Sequence, residues 1–152
     1  MGIRQFNSPK YTILVAEDSE DEFFLLTRHF KSASAQPEAE LRRAHDGEEA
    51  IHYLQGRGEF ADREAYPIPT VLLLDVKMPR KNGFEVLAWV RAHEQLGNLV
   101  VVMLSSSDDP RDVDLAYRLG ANSYLAKASL DQQPNAVNTL AWHVLRLTFL
   151  RL

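Results

Sequence analysis

Three unbroken apolar runs constrain the fold of this chain more than any other feature of its sequence. They cover residues 13–16, 71–74 and 99–104, and polar residues follow each of them directly. A strand with one face in water alternates apolar and polar residues, whereas a strand buried on both faces reads as a continuous apolar run. The runs therefore predict the central strands of a parallel sheet that is covered on both sides.

Helical spacing of apolar residues occurs between and after these runs. Asp109 before Pro110 is typical of a helix start, and Gly120 after Leu119 is typical of a helix end. The helices are predicted at residues 21–32, 48–54, 84–92, 111–119 and 135–151, with two further strands at 40–44 and 123–126. Five strands alternating with five helices predict an α/β fold, a doubly wound five-stranded parallel sheet with helices on both faces and right-handed crossovers.

Length, charge and composition limit the function classes. The 152 residues suffice for one domain, predicted at residues 11–152 behind an N-terminal extension at 1–10, and residues 55–69 are predicted as a surface loop. The net charge of −4 leaves no basic excess for nucleic acid. The absence of cysteine fits a reducing compartment, and no apolar run spans a bilayer or resembles a secretory signal. We therefore expect a cytoplasmic protein that binds neither nucleic acid nor membrane.

Polar residues at the ends of the predicted strands indicate where the chemistry lies. They are Glu17, Asp18, Asp75, Ser105 and Lys127. Ligands of open α/β sheets bind outside the carboxyl ends of the strands, where these residues should meet. Crowded carboxylates repel one another unless a cation neutralises them, and Mg²⁺ prefers carboxylate, water and phosphate oxygens. The pattern therefore favours a magnesium site.

The same residues suit phosphoryl transfer to a carboxylate. Asp75 can attack phosphorus and form an aspartyl phosphate. Such transfer depends mainly on positioning and charge neutralisation, which the cation, Lys127 and Ser105 would supply without a general base.

Each residue also has a plainer interpretation. The acidic residues after the first strand could simply cap a helix, Asp75 could belong to a turn, and Lys127 and Ser105 could be solvated loop residues. Their shared position at strand ends on one edge of the sheet favours a common site.

Four motifs resemble those of the response-regulator receiver family. The resemblance runs from about residue 11 to the C-terminus and implies a flavodoxin-like receiver fold with strand order 2-1-3-4-5. The motifs are Leu14-Val15-Ala16-Glu17-Asp18, Leu74-Asp75-Val76-Lys77-Met78-Pro79 with Gly83, Met103-Leu104-Ser105, and Tyr124-Leu125-Ala126-Lys127.

The resemblance assigns roles to the residues of the predicted site. It implies that Asp75 is the phosphoacceptor and that Lys127 binds the phosphoryl group. Asp18 and Asp75 would ligate Mg²⁺ directly, Glu17 would act through water, and Lys77 would contribute its backbone carbonyl.

The resemblance also implies a switch rather than an enzyme with a separate substrate. Ser105 would move toward the phosphoryl group while the ring of Tyr124 turns inward. The phosphoryl donor would be a sensor histidine kinase, and the long loop and stand-alone layout are similar to regulators paired with phytochrome-type kinases. Without an output domain, the protein would signal by protein–protein contacts.

The sequence departs from the family pattern at two positions. Ala128 stands where the family usually has proline after the lysine, and Lys77 adds a second ammonium two residues after the acceptor. We hypothesise that Lys77 reaches the acidic cluster and alters the lifetime of the phosphoryl group.

The last predicted helix carries two apolar stripes. The first stripe, with Val137, Leu140, Ala141 and Val144, is enough to cover the sheet. A second stripe predicts a protein–protein surface, and the family expectation is a homodimer through the fourth and fifth helices. A tail folded back on its own domain is the alternative. The second stripe consists of Trp142, Leu145, Phe149 and Leu152.

Three other functions remain to be weighed. A flavodoxin-like cofactor binder would need glycines or hydroxyls after the first strand, where this chain has an acidic loop. An aspartyl-phosphate phosphatase would need an acidic residue two positions after the nucleophile, where this chain has Lys77. A receiver-like interaction module that is never phosphorylated is the main alternative.

Overall fold

The computed structural model describes residues 11–32 and 39–132, and this part of the chain forms five strands and five helices. All five strands pair in parallel in the order β2-β1-β3-β4-β5, so the predicted fold class and strand order are confirmed. The strands are β1 Tyr11–Ala16, β2 Ala39–Ala44, β3 Val71–Asp75, β4 Val100–Ser105 and β5 Ser123–Ala126. The helices are α1 Glu20–Ser32, α2 Gly47–Gln55, α3 Gly83–Ala92, α4 Pro110–Arg118 and α5 Lys127–Gln132.

Consecutive residues of the central strands pack into two different core layers. Leu72 and Leu74 of β3 lie in one layer with Val86 of α3, while Leu73 lies in the other with Leu26 of α1. Successive side chains of a strand point to opposite faces of the sheet. Because helices cover both faces, both sets of side chains must be apolar, and this explains the unbroken runs.

The predicted limits of α4 are confirmed by its caps. The Asp109 side chain accepts a hydrogen bond from the backbone N–H of Arg111 at 2.9 Å, and Pro110 is the first helical residue. Gly120, just past the C-cap, has a φ of 102°, a conformation that glycine adopts without strain.

The loop between α2 and β3 is more ordered than the sequence predicted. A 3₁₀ turn at Gly58–Ala61 buries Phe60, whose ring centroid lies 5.1 Å from those of both Tyr53 and Tyr66. Arg63 donates hydrogen bonds to two carbonyls in the last turn of α2. The glycines and prolines of this segment indicated a loop, but its aromatic residues make it part of the core.

The structure also places a helix where none was predicted. α5 begins at Lys127, which the sequence placed at the end of the fifth strand. Proline disfavours the helical conformation of the residue before it, whereas Ala128 is a good helix former, so this chain has no local obstacle to a helix at Lys127. The extension at 1–10 and the helix predicted at 135–151 lie outside the described residues. Among the helices that are described, none has the length and apolar character needed to cross a bilayer.

Candidate functional site

Three carboxylates meet at the carboxyl ends of β1 and β3. One carboxylate oxygen from each of Glu17, Asp18 and Asp75 lies within 4.8 Å of the others. Glu17 and Asp75 are buried, whereas Asp18 is exposed. The sequence predicted this acidic cluster, and the parallel pairing of β1 with β3 brings it together.

Arg43 of β2 holds the backbone of the acidic loop after β1. Its Nε donates to the carbonyl of Glu17 at 3.1 Å, and its Nη2 donates to the carbonyl of Asp18 at 3.2 Å. Its guanidinium also lies over the ring of Phe23, 5.3 Å from the centroid. The sequence gives no indication of this role, because an arginine within a strand pattern does not show what it contacts.

Capping also shapes this loop, as the plainer interpretation of the sequence proposed. The hydroxyl of Ser19 accepts a hydrogen bond from the backbone N–H of Glu22 at 3.3 Å, and the backbone N–H of Ser19 donates to Glu17 at 3.2 Å. The loop therefore starts α1 and presents its carboxylates to the cluster at the same time.

Lys127 faces the cluster from the first position of α5. Its Nζ donates to Glu17 Oε2 at 2.8 Å and to Glu22 Oε2 at 2.6 Å, and it lies 3.4 Å from Asp75 Oδ1. Lys127 therefore meets the acidic residues at this edge of the sheet, as the sequence predicted. Glu22, four residues after Asp18, is a further partner that no sequence motif indicated.

The charges of this site perturb the pKa values of its members. Burial raises the pKa of Glu17 to about 7 against the effect of the hydrogen bond from Lys127, and interactions with Glu22 and Asp75 add to the rise. Burial also raises the pKa of Asp75, while the charge of Lys127 opposes it. Burial alone would lower the pKa of Lys127, but its hydrogen bonds to Glu17 and Glu22 outweigh this effect and raise it. The ammonium of Lys127 therefore does not offset the effect of burial on the pKa values of Glu17 and Asp75.

The donor set fits a hard divalent cation. Mg²⁺ and similar ions take oxygen ligands, and a second positive charge would stabilise the ionised forms of the carboxylates whose pKa values burial raises. An open pocket of about 510 Å³ adjoins the cluster and is lined by Asp18, Lys77 and Asn82 among others. It leaves room beside the carboxylates for water or for phosphate oxygens.

The predicted switch pair, Ser105 and Tyr124, meets at the backbone of Ser107. The buried hydroxyl of Ser105 accepts a hydrogen bond from the N–H of Ser107 at 3.0 Å. The hydroxyl of half-buried Tyr124 donates to the carbonyl of Ser107 at 2.7 Å. The hydroxyl of Ser107 donates in turn to Asp112 in the first turn of α4 at 2.9 Å. A continuous chain of hydrogen bonds thus links the end of β4 to α4 and β5.

The loop after Asp75 is tied closely to α2. A Cβ on Gly47 would lie 2.1 Å from the carbonyl oxygen of Lys81, so only glycine fits the start of α2 at this point. Arg80, with a φ of 67°, forms an ion pair with buried Asp46, the N-cap of α2. These contacts fix the path of the segment that carries Lys77.

Lys77 itself is exposed. Within residues 11–32 and 39–132, the ion pairs of the acidic cluster involve Lys127 and not Lys77. The hypothesis that Lys77 reaches the acidic cluster is therefore not borne out in this conformation. The predicted dimer residues Trp142, Leu145, Phe149 and Leu152 lie outside the described residues.

Comparison with known proteins finds relatives of one family. The family model of the response regulator receiver domain matches residues 13–137. Response regulator Rcp1 of Synechocystis sp. is 35% identical over 122 residues, which cover 80% of this chain and 80% of that protein.

Solved structures give the same family and fold. The Mn²⁺-bound form of Rcp1 aligns with a TM-score of 0.73 and 31% identity over 88% of this chain and 91% of its own. A response regulator in red light signalling of R. palustris aligns with a TM-score of 0.75 and 38% identity, over 88% of this chain and 92% of that chain. The phosphorylated cyanobacterial phytochrome response regulator RcpA aligns with a TM-score of 0.71 and 29% identity, over 90% of this chain and 89% of that chain.

Proposed function

This chain belongs to the response-regulator receiver family, and we propose that it is a two-component switch whose Asp75 accepts a phosphoryl group from a sensor histidine kinase. One observation carries the proposal. The buried carboxylate of Asp75 lies beside Glu17 and Asp18, with the ammonium of Lys127 3.4 Å from its Oδ1. A carboxylate nucleophile, oxygen ligands for a cation and a fixed ammonium are the parts that phosphoryl transfer to a carboxylate needs.

The proposed step is an in-line displacement at phosphorus. A carboxylate oxygen of Asp75 forms the new P–O bond, while the P–N bond of the kinase phosphohistidine breaks and its electron pair stays on the imidazole. Lys127 and the Ser105 hydroxyl would contact the oxygens of the transferred group. Mg²⁺, held by Asp18, Asp75 and the Lys77 carbonyl and by Glu17 through water, would supply the remaining charge neutralisation when bound.

The hydrogen bonds around Ser107 support a route from the site to a surface. When the Ser105 hydroxyl turns toward a phosphoryl group on Asp75, the N–H of Ser107 loses the acceptor that it now has at 3.0 Å. Ser107 also contacts Tyr124 and Asp112, so its adjustment would reach β5 and α4. We propose the face formed by α4, β5 and α5 as the output surface, through which the protein signals by contacts with other proteins.

The comparisons support a proposal about partners. Relatives of this chain include a regulator in red light signalling and a phytochrome response regulator, so we propose a phytochrome-type histidine kinase as the phosphodonor. We also propose a homodimer through the fourth and fifth helices and a cytoplasmic location, which suits a chain without cysteine.

The first test is phosphorylation by a small donor. We expect acetyl phosphate with Mg²⁺ to give one phosphoryl adduct by intact mass, and Asp75→Asn to give none, because the amide lacks the nucleophilic carboxylate oxygen. Omission of Mg²⁺ should also abolish the adduct. A folded wild-type protein without any adduct would instead support a receiver-like interaction module that works without phosphorylation.

A further inference from the structure

Among the described residues, Glu22 is the carboxylate closest to the ammonium of Lys127. Its Oε2 accepts a hydrogen bond at 2.6 Å, compared with 2.8 Å for Glu17 and 3.4 Å for Asp75. A lysine ammonium has three N–H donors. Here the two shortest contacts are made with carboxylates other than the proposed phosphoacceptor, so Lys127 rests to one side of Asp75.

Glu22 is suited to release Lys127, whereas Glu17 is not. The side chain of Glu22 is 45% exposed, and the side chain of Glu17 is 4% exposed. A partly exposed carboxylate regains water when its ammonium partner leaves, but a buried carboxylate without a partner is strongly destabilised. The contact with Glu22 is therefore the one that can open and close.

The fixed start of α1 limits how far Glu22 can follow Lys127. The backbone N–H of Glu22 is held by the hydroxyl of Ser19, in the first turn of α1. A phosphoryl group on Asp75 would carry about one and a half to two negative charges, in place of the single charge of the free carboxylate. Glu22 belongs to α1, whereas the phosphoryl group would lie at the end of β3. We therefore expect the contact between Lys127 and Glu22 to lengthen when Lys127 binds the phosphoryl group.

We propose, on the basis of the function proposed above, that Glu22 is a positioning residue that holds Lys127 in the resting state and competes with the phosphoryl group for it. Loss of this competition should make phosphorylation of Asp75 faster. Because Glu22 is partly exposed, we expect an increase of about two- to five-fold in rate, the range of an exposed ion pair.

Three variants separate the contact from the charge. Glu22→Gln removes the charge and keeps the size of the side chain. Glu22→Asp keeps the charge but shortens the side chain by one methylene, which takes the carboxylate away from Lys127. Glu20→Gln is the matched control, because Glu20 is exposed in the same turn of α1 and forms no ion pair with Lys127.

Two measurements on the full chain test the proposal. The first is the initial rate of Mg²⁺-dependent adduct formation with acetyl phosphate, read by intact mass. The second is the NMR resonance of the Lys127 side-chain methylene next to the ammonium, recorded without metal or phosphodonor. It reports the contact with Glu22 whether or not the protein is phosphorylated.

The proposal expects both Glu22 variants to react about two to five times faster than wild type and to shift the Lys127 resonance, with Glu20→Gln unchanged. Equal rates for Glu22→Gln and Glu20→Gln would overturn it, since the effect would then be one of general charge. An unchanged Lys127 resonance in Glu22→Gln would also overturn it. If wild type forms no adduct, the proposed function fails, and the resonance still decides whether Glu22 holds Lys127.

Discussion

Arg43 shows how a single side chain can organise a site that it does not enter. Its two hydrogen bonds fix the carbonyls of Glu17 and Asp18, the residues whose carboxylates face the cluster. Residues behind metal ligands commonly tune metal affinity by fixing the orientation of those ligands. Arg43 therefore acts on any bound cation through the backbone of the loop after β1.

We expect Arg43→Ala to weaken Mg²⁺ binding by about ten-fold, because the acidic loop loses its anchor while all three carboxylates remain. Isothermal titration calorimetry with Mg²⁺ measures the change. Arg42→Ala is the control. Arg42 is the preceding residue of β2, points to the other face of the sheet and forms an ion pair with Glu40 at 2.7 Å. Equal losses in both variants would show that general charge, and not the anchor, is responsible.

The raised pKa of Glu17 makes metal binding depend on pH. Its ordinary pKa of 4.5 is raised to about 7 in the folded, metal-free protein, mainly by burial. Between these values the folded chain keeps a proton that the unfolded chain has released, so this group lowers the free energy of unfolding as pH rises through that window. A cation needs the deprotonated carboxylate, so its affinity rises over the same window.

We therefore predict that Mg²⁺ raises the melting temperature more at about pH 8 than at about pH 6. Thermal unfolding followed by circular dichroism at both pH values, with and without Mg²⁺, measures this difference. Ca²⁺-free buffers and a chelator reference exclude carried-over metal. An equal increase at both values would contradict the assignment of a proton to Glu17.

At the level of elements, the loop between β3 and α3 depends on its contact with α2. The carbonyl of Lys81 lies against Gly47, and Arg80 pairs with Asp46 at the same helix start. Gly83 at the start of α3 is equally confined, since a Cβ there would lie 2.3 Å from the carbonyl oxygen of Asp75. Two helix starts thus hold the segment that follows the proposed phosphoacceptor.

We expect Gly47→Ala to lower the free energy of unfolding by about 1–3 kcal/mol, because the new methyl group overlaps a backbone oxygen that cannot move alone. Urea unfolding measures it as a lower midpoint with an unchanged slope. Gly97→Ala is the matched control, since its nearest atom would be the His93 oxygen at 3.5 Å, an ordinary contact. If Gly47→Ala and Gly97→Ala are equally stable, the loop between β3 and α3 can move away from the new methyl group without cost.

At the level of the whole molecule, the predicted homodimer depends on the second apolar stripe of the helix predicted at residues 135–151. We predict that Phe149→Glu yields a monomer, because a buried charge without a partner is unfavourable in an apolar interface. Light scattering measures the mass of the particle. His143→Glu is the control, since it lies off the stripe when residues are placed about 100° apart around a helix. A dimer that persists in Phe149→Glu would contradict this interface.

Much of the candidate site could be predicted because its residues directly follow strands. Asp75 ends an apolar run, and parallel pairing of β1 with β3 brings it near Asp18 whatever the details of packing. Glu22 and Arg43 could not be predicted in the same way. Glu22 matters because it contacts Lys127, which is 105 positions away in the chain. Arg43 matters because it contacts Glu17, which is 26 positions away.

The sequence by itself determined the five strands, the burial of the three central strands on both faces and the edge of the sheet where the polar residues meet. It could do so because hydrophobic periodicity records which faces of an element are buried, and the carboxyl ends of parallel strands lie on one side. Only the tertiary structure decided that Lys127 begins a helix and is shared between Glu17 and Glu22. It also decided that the aromatic loop after α2 joins the core. Such contacts depend on distances and side-chain directions between separate elements, and no local pattern of residues specifies these.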